Sequence, residues 1–185
     1  MVMREGKGVT DRSQSRSNRY VVFDVETTGF SPFRGDRVIE IAAVAVEEKS
    51  IVEEFQSLIN VGRSIPPTVQ LVHGITDEML TGEPGPQEVF PQLRDFIQNS
   101  VLVAHNARFD ISFLSNEFDL LGMTLDNLYH CTLELSRAKY PLLPDYKLQT
   151  VYRHVCGKTP VQAHRALADA RMTAAIWMDL AGHRT

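Results

Sequence analysis

The sequence contains few cysteines and no long apolar run. Cys131 and Cys156 are its only cysteines, and neither lies in a spacing typical of a zinc site or a disulfide-rich scaffold, so we expect two reduced, partly buried thiols. No apolar run approaches the roughly 20 residues that a transmembrane helix needs. The N-terminal residues lack the apolar core of a secretory signal. We therefore expect a cytoplasmic protein that does not bind membranes.

An excess of positive charge is also lacking. The formal net charge is −4, from 23 acidic and 19 basic residues, which excludes nucleic-acid binding through overall basicity. A nucleic-acid enzyme is not excluded, because carboxylates clustered around divalent cations would account for much of the acidic excess.

The chain contains no internal repeat and no sign of a second domain. Residues 1–18 are polar and show no apolar periodicity, so we expect a disordered leader. Between Arg19 and Gly182 there is no change in composition that would mark a domain boundary. The 185 residues therefore suit one domain, at 19–182, with a hydrophobic core of its own.

The order of the predicted elements is that of an α/β protein. Apolar, β-branched segments predict an antiparallel meander of three strands, at Tyr20–Gly29, Arg37–Val46 and Ile51–Ile59. A short buried strand, Val101–His105, runs at once into a helix, as in α/β units, and Asn127–Cys131 suggests one more strand. Further helices are predicted at Pro86–Gln98, Thr132–Lys139, Tyr146–Cys156 and His164–Leu180. The segment Val61–Thr76 is interpreted as a loop.

Two carboxylates stand at the end of the first predicted strand. Only Val25 separates Asp24 from Glu26, and side chains at positions i and i+2 of a strand point to the same face. Two carboxylates held that close repel each other unless one takes up a proton or a cation lies between them. We interpret the pair as half of a metal site.

Later segments supply three further candidates. Asp110 begins the helix after the fourth strand, and ligands of α/β sheets bind at the carboxyl ends of strands. If the first and fourth strands are parallel neighbours, Asp110 converges with the first two acids. His164 and Asp169 are five residues apart, about 140° on an ideal helix. They share a site only if His164 lies before or within the first turn.

Each candidate also has an ordinary structural explanation. An acid such as Asp110 at a helix N-terminus is stabilised by the helix dipole. The last helix can equally carry an exposed histidine and an exposed aspartate. Glu40, which interrupts the second predicted strand, lies either on the solvent face or near the site, and we favour the solvent-facing interpretation.

Taken together, the four acids and the histidine fit one chemistry. Mg²⁺ and Mn²⁺ prefer carboxylate and water oxygens. Two such ions about 4 Å apart can clamp the attacking and leaving oxygens of a phosphodiester. A histidine with a pKa near neutrality is a natural base for the attacking water.

Three segments resemble the motifs of the DEDDh family of 3′→5′ exonucleases, which are related to the proofreading epsilon subunit of bacterial replicative polymerase. They are F-D-V-E-T-T-G at Phe23–Gly29, H-N-A-R-F-D at His105–Asp110 and H-R-A-L-A-D-A at His164–Ala170. V-H-G-I-T at Val72–Thr76 is also similar to that family. The resemblance covers about Arg19 to Leu180. It implies a ribonuclease-H-like fold, in which helices flank both faces of a mixed five-stranded sheet.

The resemblance also implies a role for each site residue. It assigns the catalytic metal to Asp24, Glu26 and Asp169, with Asp24 shared by a second metal that Asp110 holds through water; the two ions are Mg²⁺ or Mn²⁺. His164 is the general base. The substrate-binding residues are Thr27, Thr28 and Gly29 at the terminal nucleotide, His73 near the 3′ end, and Asn106 as a polar anchor of the second motif.

The predicted function is metal-dependent removal of 5′-mononucleotides from the 3′ end of DNA, preferably single-stranded. An exoribonuclease acting on short RNA remains an alternative, because the contacts to the 2′-OH cannot be placed from the sequence. A non-catalytic binding module and a metal-independent glycosidase with two carboxylates are less favoured. Association with a DNA polymerase is a further expectation, although the chain ends without the additional tail expected of a dedicated proofreading subunit.

Overall fold

Five strands form one mixed sheet in the order β3-β2-β1-β4-β5. In this computed structural model, which describes residues 19–159 and 165–182, the strands are β1 (Tyr20–Thr27), β2 (Val38–Glu47), β3 (Ser50–Leu58), β4 (Val101–Ala104) and β5 (Tyr129–Cys131). Strand β2 is antiparallel to β1 and β3, whereas β1, β4 and β5 run parallel. The predicted meander, the parallel strands and the ribonuclease-H-like architecture are confirmed.

Helices cover both faces of this sheet. Their bounds are α1 (Pro67–His73), α2 (Asp77–Leu80), α3 (Pro86–Ile97), α4 (Ala107–Leu120), α5 (Thr132–Lys139), α6 (Leu148–Cys156) and α7 (Ala166–Ala181). Helices α3 and α4 pack on one face and α7 packs on the other. Helix α6 packs on the far side of α7, around Val151, Ile176 and Leu180.

The alternation of side chains along β1 divides the core into two layers. Val21, Phe23 and Val25 lie in the layer with α3 and α4, whereas Val22 lies in the layer with α7. Successive residues of a strand point to opposite faces. The positions after Val22 on its side of the strand are those of Asp24 and Glu26, so the pattern directs both carboxylates toward α7.

The structure differs from the sequence-based elements at several points. A seven-residue helix, α1, lies within Val61–Thr76, so the prediction of a loop there was wrong. Pro67 occupies the first helical position, where its missing N–H is not needed, and Gly74 ends the helix with a φ of 74°. Helix α6 begins at Leu148, two residues later than predicted, and α7 is described from Ala166.

Other sequence-based expectations concern the chain as a whole. Among the described residues, no helix has the length and apolar character needed to cross a membrane. Both cysteines are free thiols, Cys131 buried and Cys156 partly so. The polar segment at 1–18 lies outside the described residues, so the predicted leader and the domain boundary at 19 stay predictions.

Candidate metal centre

Three carboxylates from two distant parts of the chain converge at the end of β1. Asp24, Glu26 and Asp169 each present an oxygen, and these oxygens all lie within 4.8 Å of one another. Asp169 belongs to the first turn of α7. That turn approaches the sheet closely because its inward positions are small, Ala166 and Ala170, and pack on Val22 and its neighbours. The structure therefore brings together three of the four predicted acids.

The spacing of these oxygens fits a divalent cation. Mg²⁺ binds oxygen at about 2.1 Å, so two oxygens on one ion are separated by at most ~4.2 Å. The three oxygens lie within 4.8 Å of one another. A small decrease in the distances between them would therefore let them bind one ion. The donor set is carboxylate alone, which suits Mg²⁺ or Mn²⁺ better than a softer metal.

Asp110 stands beside this cluster. It lies in the first turn of α4 and is 3% exposed. The parallel pairing of β1 with β4 brings the start of α4 to the end of β1, as the sequence predicted. Burial raises the pKa of Asp110 to about 8, although hydrogen bonds from the backbone N–H groups of Asp110 and Val25 oppose the rise. It is not among the three acids within 4.8 Å, but its charge acts on them.

Burial and repulsion from neighbouring carboxylates raise the pKa values of Asp24 and Glu26. The pKa of Asp24 lies well above its ordinary value, first because of burial and then because of the charges of Asp110 and Asp169. Burial, followed by repulsion from Asp169, raises the pKa of Glu26 to about 8. A cation placed among these oxygens would offset both effects by stabilising the ionised carboxylates, so the cluster is suited to metal.

We expect the metal-free protein to lose stability as pH rises from about 4.5 to about 8. Glu26 has an ordinary pKa of 4.5 and a folded pKa of about 8, so across this interval the folded state holds a proton that the unfolded state releases. The stability that this bound proton contributes is fully present below pH 4.5 and is lost as the pH approaches about 8. Urea unfolding in EDTA across this interval measures the effect, and Mn²⁺ should restore most stability at its upper end. A flat or rising profile in EDTA would contradict the description of the cluster.

The residues that follow the two carboxylates form a tight turn in which threonine hydroxyls hydrogen-bond to the backbone. Thr27 and Thr28 are buried. The hydroxyl of Thr27 donates to the carbonyl oxygen of Gly29 at 2.6 Å, and that of Thr28 accepts from the N–H of Arg37 at 3.0 Å. A Cβ on Gly29 would lie 2.4 Å from the carboxylate of Asp36, so a larger residue here would have to displace that side chain. Contact of this turn with a terminal nucleotide stays a prediction.

The remaining predicted residues occupy three different settings. His73 ends α1 and is buried, with Nδ1 accepting the N–H of Ile75 at 3.0 Å. Asn106 is exposed and is the N-cap residue that precedes α4, with a positive φ of 67°. His164, the predicted general base, lies outside the described residues. The substrate and catalytic roles of all three stay predictions.

The position of Glu40 shows that the solvent-facing interpretation of this residue was wrong. It is completely buried, not solvent-facing. Arg165 donates to it from Nε at 3.1 Å and from Nη2 at 2.8 Å. Burial alone would raise the pKa of Glu40, but the hydrogen bonds from Arg165 and from the N–H of Ala166 outweigh it and lower the pKa. The strand pattern gave no sign of this distant partner.

A cleft beside Asp169 was also missed. It has a volume of about 420 Å³ and is lined by Lys147, Leu148, Gln149 and Asp169. His105 holds the chain at this point, because its Nε2 lies 2.8 Å from the carbonyl oxygen of Tyr146. The only signal in the sequence was a lysine in the first turn of a predicted helix.

Two exposed aromatic side chains that follow the first two carboxylates in the chain were likewise not singled out. Phe30 and Phe33 follow the turn after β1 and are 81% and 90% exposed. The sequence signal was present, since large apolar residues in a turn have no core to enter. Exposed aromatic rings of this kind are common where nucleotide bases stack.

Comparison with known proteins places the chain among nucleases. The exonuclease family model (RNase_T) matches residues 21–177. The PolC-type DNA polymerase III of Clostridium perfringens is 40% identical over 168 residues, covering 91% of this chain and 12% of that protein. The 3′-5′ exonuclease DinG of Bacillus subtilis is 36% identical over 163 residues, covering 88% of this chain and 17% of that protein. The chain thus spans less than a fifth of the length of either relative.

Solved structures agree with this placement. Exonuclease X, in complex with 5′ overhanging duplex DNA, superposes with a TM-score of 0.72 at 29% identity, covering 89% of this chain and 92% of that one. E. coli exonuclease I, in complex with a dA16 oligonucleotide, gives a TM-score of 0.76 at 20% identity over 90% of this chain and 41% of that one, which shows the shared fold. With the family model matching most of its length and acids clustered at the end of β1, the chain belongs to the exonuclease family.

Proposed function

We propose that this protein is a metal-dependent 3′→5′ exonuclease that hydrolyses the terminal phosphodiester bond of DNA and releases 5′-mononucleotides. The observation that carries the proposal is the convergence of Asp24, Glu26 and Asp169 within 4.8 Å. Carboxylates held this close repel one another unless protons or cations are present. In a chain of the exonuclease family, this arrangement is best explained by catalytic metal.

The proposed roles divide the site between metal binding and proton transfer. When bound, divalent cations would polarise the phosphodiester and favour attack by water. We assign one ion to Asp24, Glu26 and Asp169, and a second to Asp24 and Asp110. His164 would accept the proton of the attacking water, since a histidine is neutral and basic at physiological pH. The turn at Thr27–Gly29 would hold the terminal nucleotide.

The surroundings of the carboxylates support a nucleic-acid substrate. The cleft that contains Asp169 also contains Lys147, an exposed cation that can bind a phosphate. Phe30 and Phe33 offer exposed rings on which bases can stack. Local features of this kind replace the overall basicity that the chain lacks. DNA is the favoured substrate because the solved complexes of exonuclease X and exonuclease I contain DNA.

Replacing Lys147 with glutamine should raise the KM for single-stranded DNA by about tenfold, since a hydrogen bond to a charged group contributes roughly 1.5–3 kcal/mol. The slope of log K against log salt should fall by about 0.7, as expected for one lost phosphate contact on a single strand. Lys49→Gln, on the β2–β3 hairpin at the opposite end of the sheet, is the matched control. An unchanged salt dependence in Lys147→Gln would exclude the phosphate contact.

The decisive test of the activity is a time course on a single strand labelled at its 3′ or its 5′ end, with Mg²⁺ or with EDTA. We expect the 3′ label to be released at once as a mononucleotide and the 5′ label to pass through a ladder of shortening products. Both reactions should stop in EDTA. Hydrolysis that survives EDTA, or mononucleotides released first from the 5′ end, would overturn the proposal.

Substrate preference is tested with matched oligonucleotides. We propose higher turnover on DNA than on RNA, and on single strands than on duplexes. Faster hydrolysis of short RNA would establish the alternative, an exoribonuclease. Association with a DNA polymerase is a separate proposal, supported by the PolC-type relatives, and co-elution of the two proteins in gel filtration would test it.

A further inference from the structure

The buried carboxylate of Glu40 has an unusually complete set of partners. Besides the two bonds from Arg165, its oxygens accept the N–H of Ala166 at 3.1 Å and the side-chain amide of Gln56 at 3.0 Å. A buried charge is tolerated only when it is paired and hydrogen-bonded. The arrangement fixes the carboxylate in one position, and with it the groups that donate to it.

Two of these donors, Arg165 and the N–H of Ala166, lie at the start of the helix that carries Asp169. Arg165 is the N-cap residue of α7 and Ala166 is its first residue, so Glu40 supplies a negative charge at the positive end of the helix. The N–H of Asp169 in turn donates to the carbonyl oxygen of Arg165 at 3.1 Å. The position of Asp169 therefore depends directly on where Arg165 is held.

Glu40, the other residue of this ion pair, lies on β2, which is paired with β1. In the pairing of β1 with β2, Glu40 lies directly opposite Glu26. A continuous path thus runs from Glu26 across the strand pair to Glu40, through the ion pair to Arg165, and along one helical turn to Asp169. The path joins the two chain segments that supply the three converging carboxylates.

We propose that Glu40 and Arg165 are positioning residues for the metal centre: their ion pair sets the first turn of α7 against β1 so that Asp169 meets Asp24 and Glu26. This inference rests on the proposed function. Arg165 directly follows His164 in the chain, so the same contact holds the residue next to the proposed base.

Attachment of α7 to the sheet does not by itself require this ion pair. The middle of the helix is buried on the sheet through Ala170, Ala174 and Trp177. A second ion pair joins α7 to β3, where Arg171 donates to Glu54 at 2.8 and 2.6 Å. The contribution specific to Glu40 and Arg165 is the placement of the first turn, where Asp169 lies.

The matched pair Arg165→Met and Arg171→Met tests the proposal. Each variant removes an arginine of α7 that binds a glutamate of the sheet through two nitrogens. We expect Arg165→Met to weaken Mn²⁺ binding, measured by calorimetry on the whole chain, by at least about tenfold, and to lower kcat as well. Arg171→Met should leave both quantities unchanged. If Arg165→Met binds Mn²⁺ as tightly as the wild type does, the proposal fails.

Glu40→Gln separates positioning from simple charge. If the two residues acted only through their charges, removal of Arg165 would tighten Mn²⁺ binding and removal of the Glu40 charge would weaken it. If the two residues act by positioning, both single variants should bind Mn²⁺ more weakly than the wild type does. The double variant should then bind Mn²⁺ no more weakly than the weaker-binding single variant. Opposite effects of the two single variants would overturn the proposal.

Folding and the proposed function are checked separately. Arg165→Lys keeps the charge but loses the planar pair of donors, so it should fold and still bind Mn²⁺ more weakly than the wild type does. Wild-type affinity in this folded variant would also count against the inference. Absence of Mn²⁺ binding in the wild type would instead refute the metal-dependent exonuclease itself.

Discussion

Replacing Asp24 with asparagine is expected to lower metal-dependent hydrolysis by at least about 10³-fold. Asp24 is the carboxylate that we assign to both ions. Loss of its charge removes several kcal/mol of metal-assisted stabilisation from the transition state, and each ~1.4 kcal/mol corresponds to a factor of ten in rate. Asp169→Asn should have a comparable effect, because the cluster loses the charge of one of its three converging carboxylates.

These variants should fold, and Asp24→Asn should be more stable than the wild type in EDTA. The substitution removes a carboxylate whose pKa burial and repulsion raise well above its ordinary value. It therefore removes a buried charge that is unfavourable in the absence of metal. Asp119→Asn, on the exposed part of α4, is the control for a change of charge alone. Measurements of kcat/KM and of unfolding in EDTA provide the test, and undiminished activity in either active-site variant would refute the metal assignment.

The second large effect is expected for His164→Ala, with a loss of about 10²–10⁴-fold in kcat. That range is typical for removal of a general acid or base. Mn²⁺ affinity should be unchanged, because the residue is proposed to take a proton and not to bind metal. The pH–rate profile should also lose the ionisation near neutrality that a histidine base contributes.

A second histidine provides the control for this variant. His154 is exposed on α6, with its ring packed edge-on against Tyr140 at a centroid distance of 4.7 Å. His154→Ala should retain wild-type kcat and the wild-type pH profile. If His164→Ala instead lost metal affinity in proportion to its rate, the residue would be a metal ligand and the assignment of the base would be wrong.

The parts of the site that could be predicted are those encoded by local periodicity. The spacing of Asp24 and Glu26 places them on one face, because a strand repeats every two residues. Asp110 stands in the first turn of a helix, as the pattern around it indicated. Asp169 stands in the first turn of α7 because this helix begins at Ala166, later than the predicted start at His164. The resemblance in three motifs then supplied the expectation that these segments meet.

Features that depend on distant partners could not be predicted. Glu40 sits in an apolar strand and accepts hydrogen bonds from Arg165, which is 125 residues away. Nothing local distinguishes a solvent-facing glutamate from a buried one with such a partner. Helix α1 was missed for a different, local reason. Its seven residues are too few to show a clear helical period.

The sequence by itself determined the order of the strands and of the longer helices, the acidic residues and the family to which the chain belongs. These properties follow from short-range periodicity and from residue types at fixed spacing. Only the tertiary structure decided that Asp24, Glu26 and Asp169 lie within 4.8 Å, because this distance depends on how the first turn of α7 is seated on the sheet. The buried contact between Glu40 and Arg165, which joins that turn to β2, forms only when the chain is folded.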